Sequence, residues 1–274
     1  MKTLYISDLD GTLLDGNVEI TEYTKNILNS LTEKGMNFSV ATARTLASVE
    51  KILDGVNVNV PIILMNGVVI YDMLSKRYIQ IDSINTNGRR ALLDTIKKHI
   101  NMGFIYCIDD EVLSTYYETA DSPAAAAFIE ERQRKYNKKF TKVETFEECI
   151  NKNIVYYSVD DKKEKLDKAY EELSKCADLH IEYYRDIYNT DHWYLEVCSA
   201  KASKKNAVNT LRQNYGFDRI ISFGDNLNDL PMFEASDECY AVQNAKKEIK
   251  EKATAVIESN INNGVALFLE KNFN

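Results

Sequence analysis

Apolar runs and helical stripes alternate along the first third of the chain. Residues 2–7 are strand-like, and residues 21–34 place Ile27, Leu28 and Leu31 at helical spacing. Thr21 is a suitable N-cap for that helix and Gly35 a suitable stop. Residues 37–41 read as a strand, 45–54 as a helix and 61–65 as another buried strand. This β-α-β-α-β rhythm predicts an α/β fold, with a doubly wound parallel sheet.

The rhythm then changes. Residues 68–71 and 77–81 flank a hairpin. Between residues 84 and 188 the strand-like runs, at 104–108, 112–117, 154–159 and 179–184, are tyrosine-rich and alternate in polarity. Helical stretches near 88–101, 123–138 and 162–176 separate them. The pattern predicts an inserted α+β domain over 84–188, its antiparallel sheet partly exposed. From residue 189 the first pattern returns, with strands at 194–197, 219–223 and 239–242 and helices at 203–215, 229–235 and 265–270. Residues 1–83 and 189–274 therefore form the predicted core.

Composition narrows the function. The 274 residues are 45% hydrophobic and 28% charged, with a formal net charge of −8. No basic run suits phosphate neutralisation on a nucleic acid, and no apolar stretch suits a membrane span. The chain opens directly into a strand, without the pattern of a secretory signal. Cys107, Cys149, Cys176, Cys198 and Cys239 are odd in number and form no C-x-x-C pair. They fit reduced thiols in a cytoplasmic compartment better than a metal cage. His99, His180 and His192 lack the spacing of a zinc site.

Three predicted strand ends carry polar chemistry. The first reads Asp8-Leu-Asp10-Gly11-Thr12, the second Thr42-Ala-Arg44, the third Gly224-Asp225-Asn-Leu-Asn228-Asp229. Parallel strands joined by right-handed crossovers share one carboxyl edge, where open α/β sheets bind ligands. Asp8, Asp10, Thr42, Asp225 and Asp229 therefore converge if the sheet is parallel. Close carboxylates call for a divalent cation, a shared proton, or both. Hard oxygen donors of this kind suit magnesium. Lys201, Lys204 and Lys205 stand ahead of a helix and offer a cation beside its N-terminus.

In order and spacing, these segments resemble the four motifs of the haloacid-dehalogenase (HAD) superfamily. An insert between the second and third motifs resembles the cap of Cof-type phosphatases, the C2B class. The resemblance spans the chain and implies a Rossmann-like core with a cap, hydrolysing small phosphate monoesters such as sugar phosphates. It implies Asp8 as nucleophile and Asp10 as general acid and then base. Magnesium would be held by the Asp8 carboxylate, the Asp10 backbone carbonyl and Asp225, while Asn228 or Asp229 orients waters or the lysine. Thr42 and Lys204 would bind the phosphoryl oxygens, with Arg44 and the Asn66-Gly67 loop near the substrate. Lys204 is favoured among the three lysines because it precedes Ala207 and Val208 at the family's spacing. Two positions depart from the pattern: Ala43 replaces the glycine of Thr-Gly-Arg, and Lys205 the glycine of Lys-Gly.

A phosphosugar mutase shares these motifs and the cap class. A receiver-like phospho-aspartate switch also uses magnesium and a lysine, but needs no insert. In the cap, Tyr116, Tyr117, Tyr184, Arg185, Tyr188 and His192 are candidates for substrate contact, each with an ordinary packing alternative. The expected partner is a small phosphate ester, with neither nucleic acid nor membrane.

Overall fold

The computed structural model describes residues 1–100, 102–120, 123–185 and 191–273. The chain divides into two units, Met1–Gln80 together with Ser203 onward, and Ile81–Ala202. The first contains β1 (Thr3–Ser7), α1 (Glu22–Glu33), β2 (Asn37–Val40), α2 (Leu46–Ile52), β3 (Ile62–Leu64), β4 (Val69–Asp72) and β5 (Arg77–Ile81), whose last residue belongs to the second unit. The insert follows with α3 (Thr86–His99), β6 (Phe104–Asp109), β7 (Val112–Tyr117), α4 (Pro123–Tyr136), β8 (Lys139–Lys142), β9 (Ile154–Lys162), α5 (Lys163–Leu173), β10 (Leu179–Arg185) and β11 (His192–Ser199). The first unit resumes with α6 (Lys204–Tyr215), β12 (Arg219–Gly224), α7 (Leu230–Glu234), β13 (Glu238–Val242), α8 (Lys247–Lys252), β14 (Ala255–Ile257) and α9 (Gly264–Asn272).

The first unit is built on a five-stranded parallel sheet in the order β14-β13-β12-β1-β2. Leu4, Ile6, Phe38, Val40, Ile220 and Phe223 are all fully buried, as a sheet covered on both faces requires. β3 continues beside β2 through a parallel bridge from Ala41 to Ile63 and leads into the small β3-β4-β5 sheet. Register decides what happens at the rim. Ser7 lies beside both Phe223 and Val40. The chain therefore leaves three neighbouring strands at one level, with Asp8, Gly224 and Ala41 as the next residues.

The second unit carries a six-stranded mixed sheet in the order β10-β11-β9-β6-β7-β8. All its pairings are antiparallel except β7 with β8. One face packs Tyr157, Leu195 and Val197 against Leu92 and Ile96 of α3 and Leu166 and Leu173 of α5. Buried Tyr157 donates its hydroxyl to the Met102 carbonyl at 2.6 Å. Gly103, at φ +104°, has to lack a side chain, because a Cβ there would stand 2.6 Å from that hydroxyl.

The return to the core comes later than the pattern predicts. Residues 192–199 form β11, which pairs with β9 and β10 in the insert's sheet, so the crossing falls near residue 203 and not at 189. The insert likewise begins at Ile81, not 84. Leu195 and Val197 are buried while Tyr194 and Glu196 are half-buried, the alternation of a one-sided strand. Two short strands, β8 and β14, are absent from the sequence reading. Both lie at sheet edges; in β8 lysines flank Phe140 and Thr141 and the strand is at most half-buried, and β14 is only three residues, Ala-Val-Ile, mostly exposed.

Trp193 is the chain's single tryptophan and packs on Tyr183, so its fluorescence reports the second unit. Tyr157→Phe removes one buried hydrogen bond. We expect it to cost about 1 kcal/mol and to lower the urea midpoint followed at Trp193 without changing the slope. An unchanged midpoint would show that the Tyr157–Met102 bond adds nothing.

Candidate active site

The carboxyl rim of the parallel sheet gathers the charged residues. Asp8 follows β1, and its backbone N–H still bonds the Phe223 carbonyl at 3.0 Å, which anchors it to β12. Lys204 is the first residue of α6, whose N-cap Ser203 accepts from the Asn206 N–H. Its ammonium lies between two carboxylates, 2.8 Å from Asp8 Oδ1 and 2.7 Å from Asp229 Oδ1. All three side chains are buried. Lys205 turns outward to Glu234, and Lys201 belongs to the other unit. Lys204 is thus the lysine that the structure brings to the aspartates.

Asp229 is used on both oxygens. Oδ2 accepts from the backbone N–H groups of Asp225 and Asn226, at 2.9 and 3.1 Å. The strand end can curl over this carboxylate because residue 224 is glycine; a Cβ there would stand 2.7 Å from Asp229 Cβ. Asp225 is held from the other side by Thr12, whose hydroxyl donates to Oδ1 at 3.2 Å. Gly11, at φ +75°, passes so close that a Cβ would lie 2.5 Å from Asp225 Oδ2. One oxygen each from Asp8, Asp225 and Asp229 lies within 4.8 Å of the others.

The second motif sits beside this cluster in the same sheet. Thr42 is buried, and its hydroxyl accepts from the Arg44 N–H at 3.2 Å, which leaves its own proton for donation. Arg44 grips Asp10 at both oxygens, Nε to Oδ2 at 2.7 Å and Nη2 to Oδ1 at 2.6 Å. The Asp10 carboxylate therefore stands outside the three-aspartate cluster, facing Arg44. Met65, Asn66 and Gly67 all have positive φ, a tight turn after β3. Asn66 receives a hydrogen bond from Asn228 Nδ2 at 3.1 Å, and its N–H bonds the Thr42 carbonyl at 3.0 Å. Gly67 lies against the backbone of Ser203, where a Cβ would come within 2.2 Å of the carbonyl carbon. The Asn-Gly turn thus braces both the Thr42 loop and the start of α6.

Electrostatics make the cluster a cation site. Burial pushes Asp8 well above the ordinary carboxylate range; Lys204 opposes this, and Asp229 and Asp225 add to it. Burial, then Asp229, pushes Asp225 up to about 6 against the pull of Thr12 and Lys204. Burial also works against the Lys204 charge, but Asp229 and Asp8 outweigh it and hold its pKa above the usual lysine value. One ammonium faces three carboxylates, all hard oxygen donors. That donor set, one oxygen each from Asp8, Asp225 and Asp229, fits a divalent cation.

The family model for haloacid dehalogenase-like hydrolases matches residues 5–269. The chain belongs to that family. It is 29% identical to the 5-amino-6-(5-phospho-D-ribitylamino)uracil phosphatase YwtE of Bacillus subtilis, over 99% of this chain and 98% of the relative. It is 22% identical to the pyridoxal phosphate phosphatase YbhA of Escherichia coli, over 96% and 95% of the two chains. Among solved structures, TM0651 of Thermotoga maritima superposes with a TM-score of 0.81 at 26% identity, covering 100% of this chain and 98% of the other. This HAD-family protein is a phosphatase, a phosphoric monoester hydrolase, with a parallel-sheet core and an inserted mixed-sheet cap. Among the described residues, no helix is long and apolar enough to cross a membrane.

The candidate cap residues of this HAD protein have local partners. Tyr184 donates to Glu196 at 3.1 Å, His192 Nδ1 lies 2.9 Å from Asp160, and Lys152 stands over the Tyr116 ring. Tyr117 packs near Phe104, and Arg185 lies opposite Trp193 in the ladder; Tyr188 lies outside the described residues. Two asparagines escaped the sequence reading. Asn244 donates to the Gly11 carbonyl at 2.7 Å, and Asn260 to the Leu14 carbonyl at 2.8 Å, so both brace the first motif. Asn244 follows β13 by two residues, and the strand-end rule that found the aspartates could have found it.

Lys204→Met would leave Asp8 and Asp229 buried without their cation. In metal-free buffer near pH 8 we expect a loss of about 3 kcal/mol. Removing Lys204 takes away the charge that opposes the burial-driven rise of the Asp8 pKa, so in the variant that carboxyl titrates still further above its unfolded value. The folded form then favours its proton, and the lost stability returns as pH falls from the folded pKa towards the unfolded value. Urea midpoints of variant and wild type should converge as the pH is lowered; a deficit independent of pH would assign the loss to something other than the Asp8 carboxylate.

Proposed function

We propose that this phosphatase works through an aspartyl-phosphate on Asp8, with sugar phosphates or related small metabolites as substrates. The observation that carries the reading is the buried Lys204 ammonium shared by Asp8 and Asp229 beside Asp225. A phosphate monoester resists attack by an anion, and a site that transfers it must cancel charge on the phosphoryl oxygens. A carboxylate oxygen of Asp8 attacks phosphorus as the bond to the ester oxygen breaks. Asp10 gives that oxygen a proton. It then takes one from the water that attacks phosphorus, and the bond to Asp8 breaks. Thr42 and Lys204 hold the phosphoryl oxygens. Asn66 and Gly67 line the approach, and Asn228 keeps Asn66 in place. Arg44 occupies both Asp10 oxygens, so Asp10 acts once Arg44 has turned to the substrate phosphate.

Asp8, Asp225 and the Asp10 backbone carbonyl would hold magnesium, which would supply positive charge to the phosphoryl group. Relatives named for a phosphoribityl compound and for pyridoxal phosphate support a small ester, as does a sugar phosphatase of 18% identity with the same fold. Five free thiols support a reducing, cytoplasmic setting.

Turnover of p-nitrophenyl phosphate tests the assignment. Asp8→Asn should abolish it while leaving the melting temperature within a few degrees of wild type. EDTA should abolish turnover and magnesium restore it, and Asp225→Asn should raise the magnesium concentration needed for half-maximal rate. Normal turnover in Asp8→Asn would rule out the nucleophile, and undiminished turnover in EDTA the metal. A panel of sugar phosphates, FMN and pyridoxal phosphate, with released phosphate measured against isomerised sugar phosphate, then identifies substrate and reaction.

A further inference from the structure

Two of the chain's five cysteines meet inside the insert. Cys107 lies on β6, and Cys149 closes the single turn Phe146–Cys149. Both are fully buried in the core that the sheet shares with α3 and α5, and their thiols hydrogen-bond each other. The backbones that carry them are fastened together. The Ile108 N–H bonds the Asn153 carbonyl at 3.0 Å. Asn153 donates from its own N–H to Asp109 and from Nδ2 to the Ile108 carbonyl, each at 3.0 Å. Arg89 of α3 holds the end of the turn, donating to the Ile150 and Lys152 carbonyls at 3.1 and 2.8 Å. The β6–β9 ladder shifts register between Tyr106 and Cys107, an irregularity of the kind that re-aims a side chain.

Ordinary core packing would treat both thiols as small apolar groups, and burial would raise both pKa values. Cys149 departs from that expectation. The hydrogen bond from Cys107 holds it below the ordinary thiol range against burial; Lys152 adds to the effect, while Glu148 and Asp109 oppose it. The same bond, then burial, pushes Cys107 up. One sulfur is thus prepared as the thiolate, and its neighbour keeps a proton beside it. Cys239 shows the ordinary alternative, a thiol that donates to a backbone carbonyl, that of Lys252 at 3.5 Å.

We propose that Cys149 and Cys107 form a dithiol that hydroperoxides oxidise to an internal disulfide. The Cys149 thiolate attacks the distal peroxide oxygen. The O–O bond breaks, the alkoxide or hydroxide released takes up the proton that Cys149 had lost, and Cys149 becomes a sulfenic acid. The Cys107 sulfur then attacks the Cys149 sulfur. The S–O bond breaks, and water leaves with the Cys107 proton. The two thiols together lose two electrons, and the peroxide gains them. Access comes through the turn. Glu144, Thr145 and Glu148 are exposed, and a local opening there uncovers Cys149 without unfolding the sheet. The bond closes the chain over residues 107–149 and so ties β7, α4 and β8 into one loop. A reversible bond of this kind suits a compartment that keeps thiols reduced. It concerns the inserted unit alone and goes beyond the phosphoryl chemistry proposed above.

Treatment of the native full-length protein with hydrogen peroxide, then alkylation in denaturant and mass spectrometry, tests it. Two of the five thiols should escape alkylation, and one disulfide should join the tryptic peptides that contain Cys107 and Cys149. Dithiothreitol should restore both thiols. The oxidised protein should show a higher urea midpoint at Trp193 than the reduced protein. In Cys107→Ala, dimedone should trap a sulfenic acid at Cys149, and in Cys149→Ala it should give no adduct at Cys107. The proposal is overturned if all five thiols remain open to alkylation, if the disulfide joins any other pair, or if the bond forms only after urea has unfolded the protein. An adduct at Cys107 alone would overturn the assigned order of attack. The mass measurement needs no variant, so a misfolded alanine form leaves the answer intact. None of these results depends on turnover, so the catalytic reading stands or falls separately.

Discussion

A single buried ammonium holds the rim together. Lys204 is nearly inaccessible, yet it is charged, because Asp8 and Asp229 each lie within hydrogen-bond distance of it. Burying any one of these charges alone would be prohibitive. Together they form a chain in which the last link, Asp229, is tied to the backbone of Asp225 and Asn226. The arrangement leaves a carboxylate excess around Asp8 and Asp225. That excess makes the rim receptive to a divalent cation.

Backbone proximity serves the same end. Gly11, Gly224 and Gly67 each occupy a place where a methyl group would collide, respectively with Asp225, Asp229 and Ser203. The three glycines draw the three strand ends and the start of α6 inward. Hydrogen bonds from Asn244 to Gly11, from Asn228 to Asn66, and from Asn66 to Thr42 then lock the loops to one another. Precision at the rim is a property of loops pinned at several points by short side chains, on a sheet whose register starts them level.

Much of this was legible in the sequence where a physical signal was local. The apolar runs of β1, β2 and β12 are short and fully buried, and each ends in polar residues with turn chemistry, so strand ends and candidate ligands could be read together. Lys204 is favoured over Lys201 and Lys205 through the resemblance, because it precedes Ala207 and Val208 at the family's spacing. The grip of Arg44 on Asp10 was not legible, because it joins residues that no local pattern connects. Nor was the allegiance of β11, since a four-residue apolar alternation does not say which sheet it enters. Strand pairing across 30 or more residues, as between Trp193 and Asp161, leaves little trace in either segment.

The inserted unit has a consequence for how the molecule comes into being. β1 pairs with β12 at a separation exceeding two hundred positions, from Thr3 to Arg219, with the whole of residues 81–202 made in between. During synthesis the nascent chain therefore carries Asp8 long before its counter-ion exists. The amino-terminal half cannot bury that carboxylate cheaply until α6 emerges, whereas the insert, with its own core, is free to fold first. Closing so long a loop makes assembly of the rim the late event of folding.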